Sequence, residues 1–125
     1  MDGDRILALR KILEKVVVAD PVREYAVRLT LATHPEGEGA PEKVRRFVRW
    51  GASPRAAQAL VRVARVRALA EGRAHAAFAD VRHFALEVLQ HRVLLNYDGQ
   101  AENLRASALV REVVEAVPEE EAVKV

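Results

Sequence analysis

An all-α fold is predicted by three observations: apolar residues recur at helical spacing in several separate stretches, Gly and Pro punctuate the gaps between them, and no segment alternates with period two long enough to make a strand. Residues 1–118 are read as one helical bundle of about five helices, and the acidic tail 119–125 is expected to be disordered. A single domain is the default for 125 residues, and 50% hydrophobic content is ample for one core.

Ile6, Leu9, Ile12, Leu13, Val16 and Val17 place a first amphipathic helix over about 4–16. Asp20-Pro21 opens a second helix, a cap followed by a first-turn proline. Val22, Tyr25, Ala26 and Leu29 form its apolar face, and His34-Pro35 ends it, because the residue before proline is pushed out of the helical region. Residues 35–43 hold two glycines and three acids with nothing to bury, which predicts a mobile surface loop. Lys43 to Trp50 reads as a helical turn and an extended step, with Trp50 tucked under Gly51.

The longest helix runs from Pro54 to about Glu71 and stops at Gly72. The clearest pattern lies at about 79–91, where Val81, Phe84, Ala85, Val88 and Leu89 recur at i, i+3, i+4, i+7 and i+8. Asn96 to Gly99 reads as a turn. Leu109, Val110, Val113, Val114 and Val117 mark a last helix over about 104–117, ended by Pro118.

Composition narrows function mainly by exclusion. There is no apolar run of membrane-spanning length and no basic-then-apolar leader; the absence of cysteine removes disulfide and thiolate chemistry, in keeping with a cytoplasmic setting. Twenty basic against 18 acidic residues leave a formal charge of +2, weak support for nucleic acid despite a pI near 9.3. No Gly-rich phosphate loop ending in Lys-Ser/Thr and no nucleophile elbow is present, so the chain by itself lacks the machinery for nucleotide hydrolysis. His83, Glu87 and His91 are spaced four apart but fall mostly opposite their helix's apolar face, and a solvated face outweighs a metal site.

The candidate site is Gly51-Ala52-Ser53-Pro54-Arg55-Ala56. Ser53 caps the long helix and Pro54 suits its first turn, so Arg55 sits where free amide N–H groups and the helix dipole already concentrate positive charge. Local chemistry leaves two readings open: an exposed arginine whose stem reaches away from the cap, or a guanidinium that joins the helix start in binding a phosphate or carboxylate. Arg62 and Arg65 fall with Arg55 in one sector of about 80°, read as a solvated face.

Nearly the whole chain, in order, resembles the C-terminal lid domain of MoxR-type AAA+ ATPases. Residues 5–34 are similar to the first two lid helices through Val16-Val17-Val18, Asp20, Tyr25-Ala26-Val27-Arg28-Leu29 and Ala32-Thr33. Phe47-Val48-Arg49-Trp50-Gly51-Ala52-Ser53-Pro54-Arg55-Ala56 is similar to the most recognisable lid signature, and Gly72-Arg73, His75, Phe78, Asp80-Val81, Val88-Leu89, His91-Arg92 and Leu95-Asn96 continue the match. The sequence departs from the pattern at His34, usually arginine, at Ala77, usually a small hydroxyl residue that would cap the fourth helix, and at Gln90, usually basic.

The resemblance implies a lid that closes over ATP and Mg held by a large domain not in this chain. It makes Arg55 the sensor 2 arginine near the γ-phosphate, with Ser53 beside it at the nucleotide. The chain alone would bind no cofactor. Implied partners are the AAA+ large domain, neighbouring subunits of a hexameric ring and a von Willebrand factor A-domain protein, in chaperone-like complex maturation or metal insertion. Two alternatives from other classes stand beside this one. One is a basic helical module that binds nucleic acid through Arg45, Arg46, Arg49, Arg62 and Arg65; the other is an adaptor that docks a partner helix in an apolar groove.

Overall fold

The computed structural model describes residues 3–120. Seven helices occur among them: α1 (Gly3–Glu14), α2 (Asp20–Leu31), α3 (Glu42–Phe47), α4 (Pro54–Ala70), α5 (Phe78–Gln90), α6 (Tyr97–Ala101) and α7 (Ala106–Ala116). The five long ones are those expected from periodicity. A two-stranded antiparallel sheet, β1 (Val48–Trp50) with β2 (Leu94–Leu95), pairs Val48 with Leu95 and Trp50 with Leu94. None of the helices is long and apolar enough to cross a membrane.

The core lies between α2, α4, α5 and α7. Tyr25, Ala26 and Leu29 from α2 meet Leu60 and Ala64 from α4, Val81, Ala85 and Leu89 from α5, and Leu109, Val110 and Val113 from α7. Fully buried Ala56, Ala64 and Ala68 give α4 a smooth face that neighbouring helices approach closely. Tyr25 stacks edge-on against Phe78 at 5.7 Å, and burial pushes its hydroxyl pKa up.

The ends of α4 and α6 are set by residues in the left-handed region. Gly72 (φ 75°) follows α4; its N–H donates to the Leu69 carbonyl and the Arg73 N–H donates to the Ala68 carbonyl, which closes the helix and turns Arg73 back toward α5. Asn103 (φ 55°) ends α6 in the same way, through Asn103 N–H to Gln100 O and Leu104 N–H to Gly99 O. The segment expected as a turn at 96–99 is thus a five-residue helix, started by the Asn96 side chain accepting the Gly99 N–H at 2.9 Å. It is too short to show a period. Gly99 is required by proximity, since a Cβ there would lie 2.9 Å from the Phe47 carbonyl oxygen.

The first helix forms where expected, but α1 buries no residue, and Ile6, Leu9 and Ile12 are each 44% exposed. Three further expectations change. Trp50 is 61% exposed rather than tucked under Gly51, since β1 turns its side chain outward. Over 35–43, Ala40 is buried and the Arg45 guanidinium donates to the Gly37 and Ala40 carbonyls, so an arginine outside the loop binds its backbone. The small sheet escaped a search for alternation because its strands are three and two residues long. Of the expected tail, residues 121–125 lie outside the described residues, while the Pro118 and Glu119 carbonyls accept bonds of 2.6 and 2.8 Å from Arg28.

Candidate functional site

The start of α4 is aimed by the end of α2. Thr33, fully buried, donates its hydroxyl proton to the Thr30 carbonyl at 2.6 Å and accepts the Ala52 N–H at 2.9 Å. His34, the next residue, bonds the Ala52 carbonyl through Nε2 at 2.6 Å; a carbonyl only accepts, so Nε2 carries the proton. Both backbone polar groups of Ala52 are therefore held by consecutive residues of one helix end. Gly51 must be glycine for the same reason, since a Cβ would meet the His34 ring at 2.7 Å and its backbone nitrogen at 2.8 Å. Gly51→Ala is expected to destabilise the fold by about 1–3 kcal/mol through this overpacking, read as a lower denaturant midpoint at unchanged slope.

From this clamp the chain enters α4 with Ser53 as the extended N-cap and Pro54 as the first helical residue. The Ser53 carbonyl accepts the Ala56 N–H at 2.8 Å. The expected side-chain cap is absent: the Ser53 hydroxyl makes no bond to the helix, which leaves the first-turn donors without a side-chain acceptor. Ser53 and Arg55 are both exposed, and among the described residues no carboxylate pairs with Arg55. The helix start and the Arg55 guanidinium thus place positive charge together at one exposed surface, with no carboxylate of the described residues against it.

The far end of α4 is pinned by a cluster that the sequence pattern did not single out as a unit. Arg73 grips Asp80 with both guanidinium nitrogens, Nη1 to Oδ2 at 2.7 Å and Nη2 to Oδ1 at 2.6 Å, and Arg67 Nη1 adds a contact to Oδ1 at 2.6 Å. The Ala77 N–H donates to Asp80 Oδ2 at 2.7 Å. The hydrogen bonds from Arg73 hold the Asp80 carboxyl well below the usual aspartate range against the opposing effect of burial, helped by the Ala77 amide and Arg67. Arg73 is raised in turn, chiefly by Asp80. Asp80 thus supplies one half of a capping box, its carboxylate accepting the N-cap amide of Ala77, while the other half, a side-chain acceptor at position 77 for the α5 amides, is missing.

The remaining candidates fall into separate places. Arg45 holds loop carbonyls, Arg46 lies over the Phe47 ring at 4.9 Å and Arg49 over the Trp50 ring at 5.8 Å, whereas Arg62 and Arg65 line clefts on another part of the molecule. The five arginines proposed for nucleic acid do not share one cleft. Among the described residues no group of three or more His, Cys, Asp or Glu side chains forms a metal site; His83 instead packs edge-on against Phe84. Residue-by-residue reading missed that Thr33 and His34 hold the start of α4, because their partner at Ala52 is distant in sequence and is a backbone.

Comparison with known proteins gives a consistent result. Residues 40–113 match the AAA lid domain family. The chain is 32% identical over 115 residues to the chaperone MoxR1 of Mycobacterium tuberculosis, covering 92% of this chain and 30% of that protein. It is 37% identical over 125 residues to protein MoxR of Methylorubrum extorquens, covering 94% and 36%. A crystal structure of a protein assigned as an ATPase from Cytophaga hutchinsonii superposes with a TM-score of 0.86 at 29% identity, over 92% of this chain and 35% of that one. The chain spans about a third of the length of each relative.

Proposed function

Because this chain belongs to the AAA lid domain family, as the C-terminal lid of a MoxR-type AAA+ ATPase, we propose that it closes over ATP and Mg held by a large domain and supplies Arg55 as the arginine that senses the terminal phosphate. The observation that carries this reading is the start of α4: an uncapped helix N-terminus with an unpaired, exposed guanidinium, aimed by the Thr33–His34 grip on Ala52. Nucleotide supplies the transferable phosphoryl group. The chain's own contribution is a fixed positive charge beside it, Arg55 with the first-turn amides, on a helix rigidly packed into the lid core. Ser53, exposed at the N-cap, lies beside the same anion.

A change in phosphate charge on hydrolysis alters the attraction to this helix start and so shifts the lid against the large domain. Chaperone activity, after the relative named chaperone MoxR1, and assembly into a ring with a von Willebrand factor A-domain partner, both implied by the family resemblance, complete the proposal. The 125-residue chain alone is expected to hydrolyse no ATP, as it carries no phosphate loop. The test joins the chain to its ATP-binding large domain and compares turnover with and without residues 1–125. Loss of turnover on removal is expected; undiminished turnover without the lid overturns the proposal.

A further inference from the structure

Away from Arg55, α4 separates two adjoining clefts. One, of about 430 Å³, lies between α4 and α2 and is lined by Arg23, Val27, Val61, Arg62 and Arg65 among others. The second, of about 520 Å³, lies between α4 and α1, where Arg62 and Arg65 are joined by Arg10, Leu13, Glu14 and Val66. Arg62 and Arg65 are one turn apart and belong to both clefts, so the two read as one groove astride α4. Ala57 to Val66 spans about 14 Å of helix at the usual rise per residue.

Four arginines face this groove against one acid, Glu14. Among the described residues none of the four is in an ion pair. Arg65 adds a second sign: its Nε is buried and has no hydrogen-bond acceptor, a position that natural structures rarely leave unfilled. Between the arginines the surface is aliphatic, from Val27, Val61, Val66 and Leu13. No aromatic side chain lines either cleft, so the groove lacks the stacking platforms of single-stranded nucleic-acid sites.

We propose that this groove docks a segment of a partner protein that carries glutamate or aspartate alternating with aliphatic residues, the acids meeting Arg10, Arg23, Arg62 and Arg65 and the aliphatic side chains covering the valines. Charge complementarity selects the acidic partner, and the valine floor distinguishes it from a bare polyanion. Arg55 itself lines neither cleft.

The experiment uses the 125-residue chain and a fluorescein-labelled helical peptide with glutamate on one face and leucine on the other, read by anisotropy at low salt. Binding is expected to weaken as salt rises. Arg23→Gln with Arg62→Gln, both at exposed positions, should weaken it roughly tenfold, the loss of two partly screened charge contacts, with an unchanged circular dichroism spectrum. Arg111→Gln on α7 should leave it unaltered. Equal affinity for a peptide with glutamine in place of glutamate overturns the proposal, as does tighter binding of oligothymidine. Self-association of the chain abolished by the same double substitution also overturns it, assigning the groove to a second copy.

Discussion

Arg55→Ala in the complete ATPase is expected to lower hydrolysis roughly 10- to 1000-fold while leaving the lid folded. The fold survives because Arg55 is exposed at the start of α4 and packs against nothing in the core. The rate falls because the transferring phosphoryl group spreads charge over its equatorial oxygens, and a pre-positioned guanidinium meets that charge without reorganising. The lower end of the range applies where the arginine mainly sets lid position. Arg55→Lys should rescue only part of the rate, since a point charge on a flexible stem does not reproduce the planar fork. Arg111→Ala, an exposed arginine on α7, serves as the control and should cost little. Single-turnover kinetics with circular dichroism on each variant separates chemistry from folding. Full activity and unchanged nucleotide affinity in the Arg55→Ala enzyme would falsify the assignment.

Asp80→Ala is expected to destabilise the lid by about 2–4 kcal/mol. The carboxylate is fully buried, and removing it leaves the Ala77 N–H without its acceptor and the Arg67 and Arg73 guanidiniums with the exposed Glu71 as their remaining carboxylate. The loss is held below the largest values for broken buried pairs because Arg67 and Arg73 are 25% and 29% exposed and reach solvent once released. Asp80→Asn should cost less, since an amide oxygen can still accept from Ala77 while the charge is lost. The sign of the pH dependence follows from the depressed folded-state pKa: the stability from Asp80 is present above the ordinary aspartate range, about 4, and declines as pH falls below it. The difference in denaturant midpoint between wild type and Asp80→Asn should therefore stay constant from neutral pH to about pH 5 and begin to narrow between about pH 4 and pH 3. A gap that stays constant down to about pH 3 would show that the carboxylate's charge is not what matters.

Both predictions concern α4, whose two ends are fixed by different means. At its start, the Thr33–His34 corner holds Ala52 through backbone bonds; at its end, Gly72 reverses the chain and delivers Arg73 to Asp80. The helix between is anchored by buried Leu60, Ala64 and Ala68. Arg55 is thereby attached to a rod held at both ends, a suitable mounting for a charge that has to stay in place while its ligand changes.

The sequence by itself determined the all-α class, the five long helices and the position of Arg55, because helical period, Pro21, Pro54 and Gly72 are local signals that act within a few residues. It also carried the family, since several motifs in a fixed order are specific even when each is short. Only the tertiary structure decided which faces meet. The spacing of Ile6, Leu9 and Ile12 predicted an amphipathic α1, and the helix forms with these residues 44% exposed, for periodicity says that a face exists and not what covers it. The pairing of β1 with β2, the bond from His34 to Ala52 and the gathering of Arg67 and Arg73 on Asp80 join residues 7 to 47 positions apart. Arg10 and Arg23 reach the same groove as Arg62 and Arg65 only when three helices are packed. Such contacts depend on packing geometry between distant segments, which leaves no period and no spacing in the chain.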